Sequence, residues 1–336
     1  MKAKGSIVIL ALAVSGAAAY FILSESFKSG DVSRSMEFEY SVKVVNIPKD
    51  ARDVTVLLPV PQSDPHQVVA DVRIESPYAY SYMTDSEYGN KVVRINLTDG
   101  APENFEARMI VSVNRKKYTA LDGSMKGINS PTKEMRKRLL SADRLIPLDG
   151  PILKEKEKVV KDGMTDLEKA RAIYDYLVAS MKYDKSGTGW GRGDALYACD
   201  VRAGNCTDFH SLFIGMARAS GIPARFIMGF PVPEDKEQGE ISGYHCWAEF
   251  YTEELGWAPV DASEANKHPE KREFFFGSLD QNRIAFSYGR DIDLGIDELK
   301  EPLNFIIYPV VLVDGAPYND FEKKFEFENR KIEQII

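Results

Sequence analysis

The stretch Gly204-Asn205-Cys206-Thr207-Asp208-Phe209-His210 decides the reading of this chain. Behind Asn205 the apolar residues Phe209, Leu212, Phe213 and Met216 recur at i, i+3, i+4 and i+7, and Gly221 follows. That pattern predicts a helix of about four turns with a glycine stop. Cys206 then sits in its first turn, where backbone N–H groups lack intrahelical acceptors and the helix dipole is positive. Such a setting stabilises a thiolate and lowers the thiol pKa. An inert core cysteine has no need of the polar Gly204-Asn205 shoulder. Asn205-Cys206-Thr207 also fits a glycosylation sequon, which is read as accidental.

A base and its orienter follow in order. Tyr244 to Tyr251 alternates as a strand, with His245, Trp247, Glu249 and Tyr251 on one face, and Gly256 to Asp261 forms a second strand after a turn. If Phe250 pairs with Gly256, His245 lies opposite Asp261, with Cβ atoms about 4.5–5.5 Å apart, within reach of an imidazole–carboxylate hydrogen bond. A slip of one residue would separate them onto opposite faces. The catalytic candidates are therefore Cys206 as nucleophile, His245 as base and Asp261 as orienter. Of the other histidines, His66 and His268 lie in loop-like, solvated contexts. His210, one helical turn after Cys206, is a rival base expected to pack instead. A zinc site from Cys199, Cys206, Cys246 and His245 lacks the paired Cys-x₂-Cys spacing, and Asp291-Ile292-Asp293-Leu294-Gly295 lacks the distal Glu of a calcium loop. No metal or other cofactor is expected. The Cys206 N–H is one candidate oxyanion donor, with Trp190 and Tyr197 as candidates for the second.

Working outward, residues 37 to about 118 read as short alternating strands, including Phe38 to Val44, Val54 to Leu58 and Lys91 to Leu97, separated by proline-containing turns. Their spacing predicts an immunoglobulin-like β-sandwich. Lys116 to Ser130 reads as a linker, and Pro131 as the start of a short helix. Thr165 and Glu168 have capping-box spacing ahead of an amphipathic run through Ala170, Ile173, Tyr174, Leu177 and Met181. The glycine-rich Lys185 to Asp194 is expected to fold close to the active site, and Leu303 to Val313 to return as a strand.

With 336 residues, 44% of them hydrophobic, the chain has material for two packed cores. A net charge of −8 without a basic stripe argues against nucleic-acid binding. Lys2 and Lys4 precede an uncharged stretch, Ser6 to Leu23, read as an uncleaved membrane anchor in preference to a cleaved signal, with the body outside the cytoplasm. The resulting division is 1–30 anchor or signal, 31–120 β-sandwich, 121–295 catalytic domain and 296–336 C-terminal strand and tail. With three cysteines, Cys199 and Cys246 could pair and leave Cys206 free.

Three blocks together carry a family resemblance: Gly204 to Asp208 with Ala217 to Arg225, His245-Cys246-Trp247-Ala248-Glu249, and Gly256-Trp257-Ala258-Pro259-Val260-Asp261. Over roughly residues 165 to 265 they resemble the core of the transglutaminase-like superfamily. The resemblance implies a papain-like α+β core and a Cys206–His245–Asp261 triad acting on peptide or glutamine-type amides of a protein or peptide substrate. Hydrolysis is preferred to cross-linking. The alternative is a non-catalytic envelope protein that binds peptide through the same pocket.

Overall fold

A computed structural model describes residues 32–98 and 102–331. It is a mixed α+β structure. Six strands open it: β1 (Ser33–Val44), β2 (Asp53–Val60), β3 (Gln67–Glu75), β4 (Tyr80–Thr84), β5 (Lys91–Thr98) and β6 (Phe105–Lys116). The period-2 pattern sets their faces. In β1, Met36, Phe38, Tyr40, Val42 and Val44 are fully buried while Glu37 and Glu39 lie toward the surface.

Six helices follow: α1 (Lys133–Leu139), α2 (Gly150–Val159), α3 (Asp166–Ser180), α4 (Ala195–Val201), α5 (Cys206–Ala219) and α6 (Ala262–Lys267). The expected capping box is present on α3, where Thr165 accepts from the Glu168 N–H and Glu168 returns to the Thr165 N–H. Pro131 does not enter α1; Thr132 takes the cap, its hydroxyl accepting from the Met135 N–H. From Cys206 to Arg218 every residue of α5 is buried, so α5 is a central helix rather than one with a solvated face. It lies on a four-stranded antiparallel sheet. Named with the other strands of the three larger sheets, these are β7 (Ala224–Pro231), β8 (Gln238–Glu240), β9 (His245–Thr252), β10 (Gly256–Val260), β11 (Arg283–Tyr288), β12 (Val310–Val313), β13 (Ala316–Pro317) and β14 (Phe321–Asn329). The sheet under α5 runs β10-β9-β7-β11.

Late strands complete the early sheets. One five-stranded antiparallel sheet runs β8-β14-β1-β6-β3 and the other β13-β12-β2-β5-β4. An aromatic cluster ties the first of them to the sheet under α5: Phe38 lies 5.1 Å from Phe230 and 5.4 Å from Phe286, and Phe230 lies 4.4 Å from Phe325 between ring centroids. Such pairs contribute about 0.5–1.5 kcal/mol each beyond their area burial. The early strands therefore share one continuous core with the helical part.

Two expectations are corrected here. The β9–β10 hairpin pairs Thr252 with Gly256 and Ala248 with Val260, two residues tighter than the expected pairing of Phe250 with Gly256. Gly256 makes this possible, with φ of +78° at the end of a three-residue loop; a Cβ there would come within 2.1 Å of the Met125 carbonyl oxygen. The expected membrane tether is withdrawn. Among the described residues no helix is long and apolar enough to cross a membrane, and the stretch Ser6 to Leu23 lies outside the described residues. The membrane as a partner and the placement deduced from the tether go with it.

Candidate active site

Asn205 caps α5 with its side-chain oxygen on the Thr207 N–H at 2.9 Å, and Asp208 reaches back to the Asn205 N–H at 3.0 Å. This capping box leaves Cys206 at the first helical position, where its N–H has no acceptor within the helix. Asp208 does more than cap. Its two oxygens also accept from the Gly191 and Gly193 N–H groups at 2.8 and 3.2 Å, which pins the glycine-rich loop beside Cys206 as expected. Gly204 is required by this arrangement, because a Cβ there would fall 2.4 Å from an Asp208 carboxylate oxygen. Asn205 is buried and its amide donates to the Tyr244 hydroxyl at 3.0 Å, so the sequon asparagine is occupied internally.

His245 opens β9, and its Nε2 lies 2.7 Å from Asp261 Oδ2. Asp261 is not on the strand. It caps α6, with Oδ1 accepting from the Glu264 N–H and the Ser263 hydroxyl, each at 3.0 Å. The tighter register makes Asp261 a diagonal rather than a direct neighbour of His245, on the same face, and the turn into α6 swings its carboxylate back. Nδ1 of His245 is the ring nitrogen left to face Cys206, and the imidazole and the thiol act on each other's ionisation. All three residues predicted from sequence thus come together, with Cys206 only 2% and Asp261 0% exposed.

Burial alone would lower the His245 pKa, but the Asp261 charge and hydrogen bond outweigh it and lift it to about 10. Burial would likewise push the Cys206 thiol up; hydrogen bonds from Cys246 and His245 and the imidazolium charge bring it well below its ordinary value. Burial opposes ionisation of Asp261 too, and the charges of His245 and Arg283 hold its carboxyl well below the usual carboxylate range. Both shifts run in the direction that favours a thiolate–imidazolium pair over a neutral thiol and imidazole.

Arg283, which the sequence reading did not single out, is buried on β11 with Nη1 3.0 Å from Asp261 Oδ2 and Nη2 2.9 Å from Asp280. Only the pairing of β11 with β7 brings it there. His210 is not placed as the base: its Nε2 accepts from the Ala262 N–H at 3.1 Å and its Nδ1 lies 3.7 Å from the Cys246 sulfur. The Trp190 indole N–H donates to the Gly187 carbonyl at 2.9 Å and is not free as an oxyanion donor, while the Tyr197 ring packs under Gly189.

The pairing left open for Cys199 and Cys246 is not formed. All three cysteines are free, and Cys199 sits instead beside Glu155 and Arg202. His66 is not solvated but 6% exposed and stacked on Tyr118, and burial lowers its pKa to about 3. His268 is half-exposed, near Glu264 and Glu270. Among the described residues no group of three or more His, Cys, Asp or Glu side chains forms a metal site.

Residues 155–262 match the family model described as the transglutaminase-like superfamily. The chain carries a transglutaminase-like core. It is similar to an uncharacterized protein of Haemophilus influenzae, 28% identical over 88% of this chain and 91% of that protein. It is also 27% identical to the uncharacterized protein YebA of Bacillus subtilis over 33% of this chain, a region that spans 17% of YebA. Among solved structures, a candidate cysteine protease of Cytophaga hutchinsonii superposes with a TM-score of 0.58 over 88% of this chain and 98% of that one, at 17% identity. That likeness concerns the fold. At the superfamily level the transglutaminase-like core is one used for thiol-based acyl transfer and hydrolysis.

Proposed function

We propose that this transglutaminase-like protein is a thiol-dependent hydrolase of peptide or glutamine-type amides. The single observation that carries the reading is the 2.7 Å contact of His245 Nε2 with Asp261 beside a cysteine at a helix N-terminus. The Cys206 thiolate attacks the amide carbonyl, and the carbon–nitrogen bond breaks as His245 gives its Nδ1 proton to the leaving amine. The acyl-thioester is then resolved by water, whose proton His245 accepts. Asp261, ionised and held by Arg283, keeps the imidazole oriented. The Cys206 N–H is aimed at the developing oxyanion.

Hydrolysis is favoured over cross-linking by the state of the tryptophans, which would have to wall a channel for an acceptor amine. Trp247 is fully buried beneath Arg115 and Arg283, and Trp257 is buried with its N–H on the Asn129 carbonyl and Arg225 over its ring. Both serve packing. The strands of 31–120 act in this reading as an immunoglobulin-like positioning module for the catalytic segment 121–295, and β12 and β14 complete the sheets of that module. One observation favours a second reading, a non-catalytic peptide-binding protein: Cys206 is almost closed off from solvent. Trapping with a thiol-directed acyl probe separates the two. An acyl-thioester on Cys206 that turns over in water supports hydrolysis. Peptide binding without any acylated Cys206 sinks it, and predominantly amine-coupled product at millimolar amine makes the protein a cross-linker.

A further inference from the structure

Glu264 is the third residue of α6. A glutamate there normally closes a capping box on the backbone N–H of the cap residue, which is Asp261. Here the Asp261 N–H donates to the Phe275 carbonyl at 3.0 Å, so the box stays open and the Glu264 carboxylate is not used at the helix end. It turns to the active site instead. Asp261 Oδ1 fixes the Glu264 backbone N–H at 3.0 Å, and Glu264 Oε1 lies 4.0 Å from His245 Nε2. The same Oε1 is in contact with Lys267 Nζ, three residues on, while Oε2 lies 3.8 Å from His268 Nε2. Lys267 is held from its other side by Tyr183, with Nζ 4.7 Å from the ring centroid.

His245 Nε2 therefore faces two carboxylates, each with a cation of its own. The inner pair, Asp261 with Arg283 at 3.0 Å, is shut off from solvent, whereas the outer pair, Glu264 with Lys267, has side chains 19% and 33% exposed. We propose that Glu264 is a positioning residue for His245, an outer counter-ion of its imidazolium whose strength is set by Lys267. The proposal rests on the reading of His245 as the group that carries the proton for Cys206. Beyond these two pairs, the titratable side chains around the imidazole are Cys206 and His210, both buried on α5.

Glu264 has a different duty from Asp261. Asp261 accepts the Nε2 hydrogen at 2.7 Å and fixes the direction of the ring, whereas at 4.0 Å Glu264 makes no hydrogen bond and acts through charge alone. An opposite charge within about 4–6 Å shifts an ionisable group by about 1–3 pH units, and partial exposure puts Glu264 at the lower end of that range. Lys267, touching the same oxygen, cancels part of the pull. A counter-ion that is too strong would hold back the proton that His245 must give to the leaving amine, and Lys267 limits that hold.

The test follows the His245 ring nitrogens by nitrogen NMR across pH in the whole protein, with the signal identified by its loss in His245→Gln. The wild-type ring should titrate at about 10. In Glu264→Gln, which keeps the shape of the side chain, the midpoint should fall by about 1 unit, a change of about tenfold in proton affinity. In Lys267→Met it should rise by about 0.3 unit, or about twofold, a smaller change because Lys267 itself loses its proton near pH 10.4. A Glu264→Gln midpoint that stays at the wild-type value overturns the proposal, and so do two variants that shift the same way, as a merely loosened α6 would give. A wild-type His245 that titrates near 6.5 overturns the reading of His245 as the charged partner of Cys206 beneath it, which is a different observation.

Discussion

Replacing Asp261 by Asn removes the charge that organises the site while keeping its shape. His245 stands at about 10 instead of 6.5, about 3.5 pH units, and at about 1.36 kcal/mol per unit this is roughly 5 kcal/mol in favour of the imidazolium. His245 is only 6% exposed, so water does little to screen that preference. Asp261 is its main source, with the Cys206 thiolate adding to it. Without the carboxylate, burial acts unopposed by it, the imidazole becomes neutral near pH 7 and the thiol takes back its proton. The fraction of Cys206 present as thiolate, and hence its iodoacetamide labelling rate at pH 7, should fall about 30-fold, and the labelling profile should rise only in the ordinary thiol range near pH 8.5. The analogous change in serine proteases lowers turnover about 10⁴-fold. The fold should survive, because Arg283 keeps Asp280 at 2.9 Å and the Asn amide oxygen still accepts from it; a loss of about 1–3 kcal/mol is expected. Labelling across pH, read beside a thermal melt, makes the comparison. A D261N profile that overlays the wild type, on a protein that melts normally, would refute the assignment of Asp261 as the residue that sets the ion pair.

Asp208→Ala should strip the acceptor from three backbone N–H groups and cost about 2–4 kcal/mol in chemical denaturation, with new proteolytic cleavage between Lys185 and Asp194; an uncleaved loop would mean that Asp208 does not hold it. His66 has a folded pKa of about 3 against 6.5 for an ordinary histidine, so the unfolded chain takes up a proton that the folded one refuses. Its contribution is complete above pH 6.5 and is lost as pH falls toward 3, at up to about 1.4 kcal/mol per pH unit. His66→Phe, which keeps the stacking on Tyr118, should flatten the stability curve between pH 6 and 4 by about that slope, and parallel curves would contradict the burial of a neutral imidazole.

What the sequence made legible was local. The capping box at Thr165, the apolar spacing of α5 and the alternation of β1 are each contained within a few residues, and each stands in the structure as read. The errors share a cause, contact between distant segments. The hairpin register shifted by two because the tight turn at Gly256 is shaped against the Met125 carbonyl, which turn counting alone does not anticipate. His66 reads as solvated beside Asp64 and Pro65, yet Tyr118 stacks on it, with Arg115 over the Tyr118 ring. Arg283 is invisible as a partner of Asp261 until β11 is known to lie beside β7. Within Leu303 to Val313, Val310–Val313 forms a strand, and its partner is β2.

The pairing of β1 with β14 also has a consequence for how the chain is made. Val44 leaves the ribosome about 280 residues before Phe321, its partner across the sheet, and at about 5–20 residues per second the wait is about 15–55 s. Throughout it β1 can pair with β6 on one side while a run of unpaired amide and carbonyl groups stays open on the other. β2 waits almost as long for Val310–Val313. β1 and β2 therefore stay open as templates for foreign strands while most of the residues after them are made, until β12 and β14 close them.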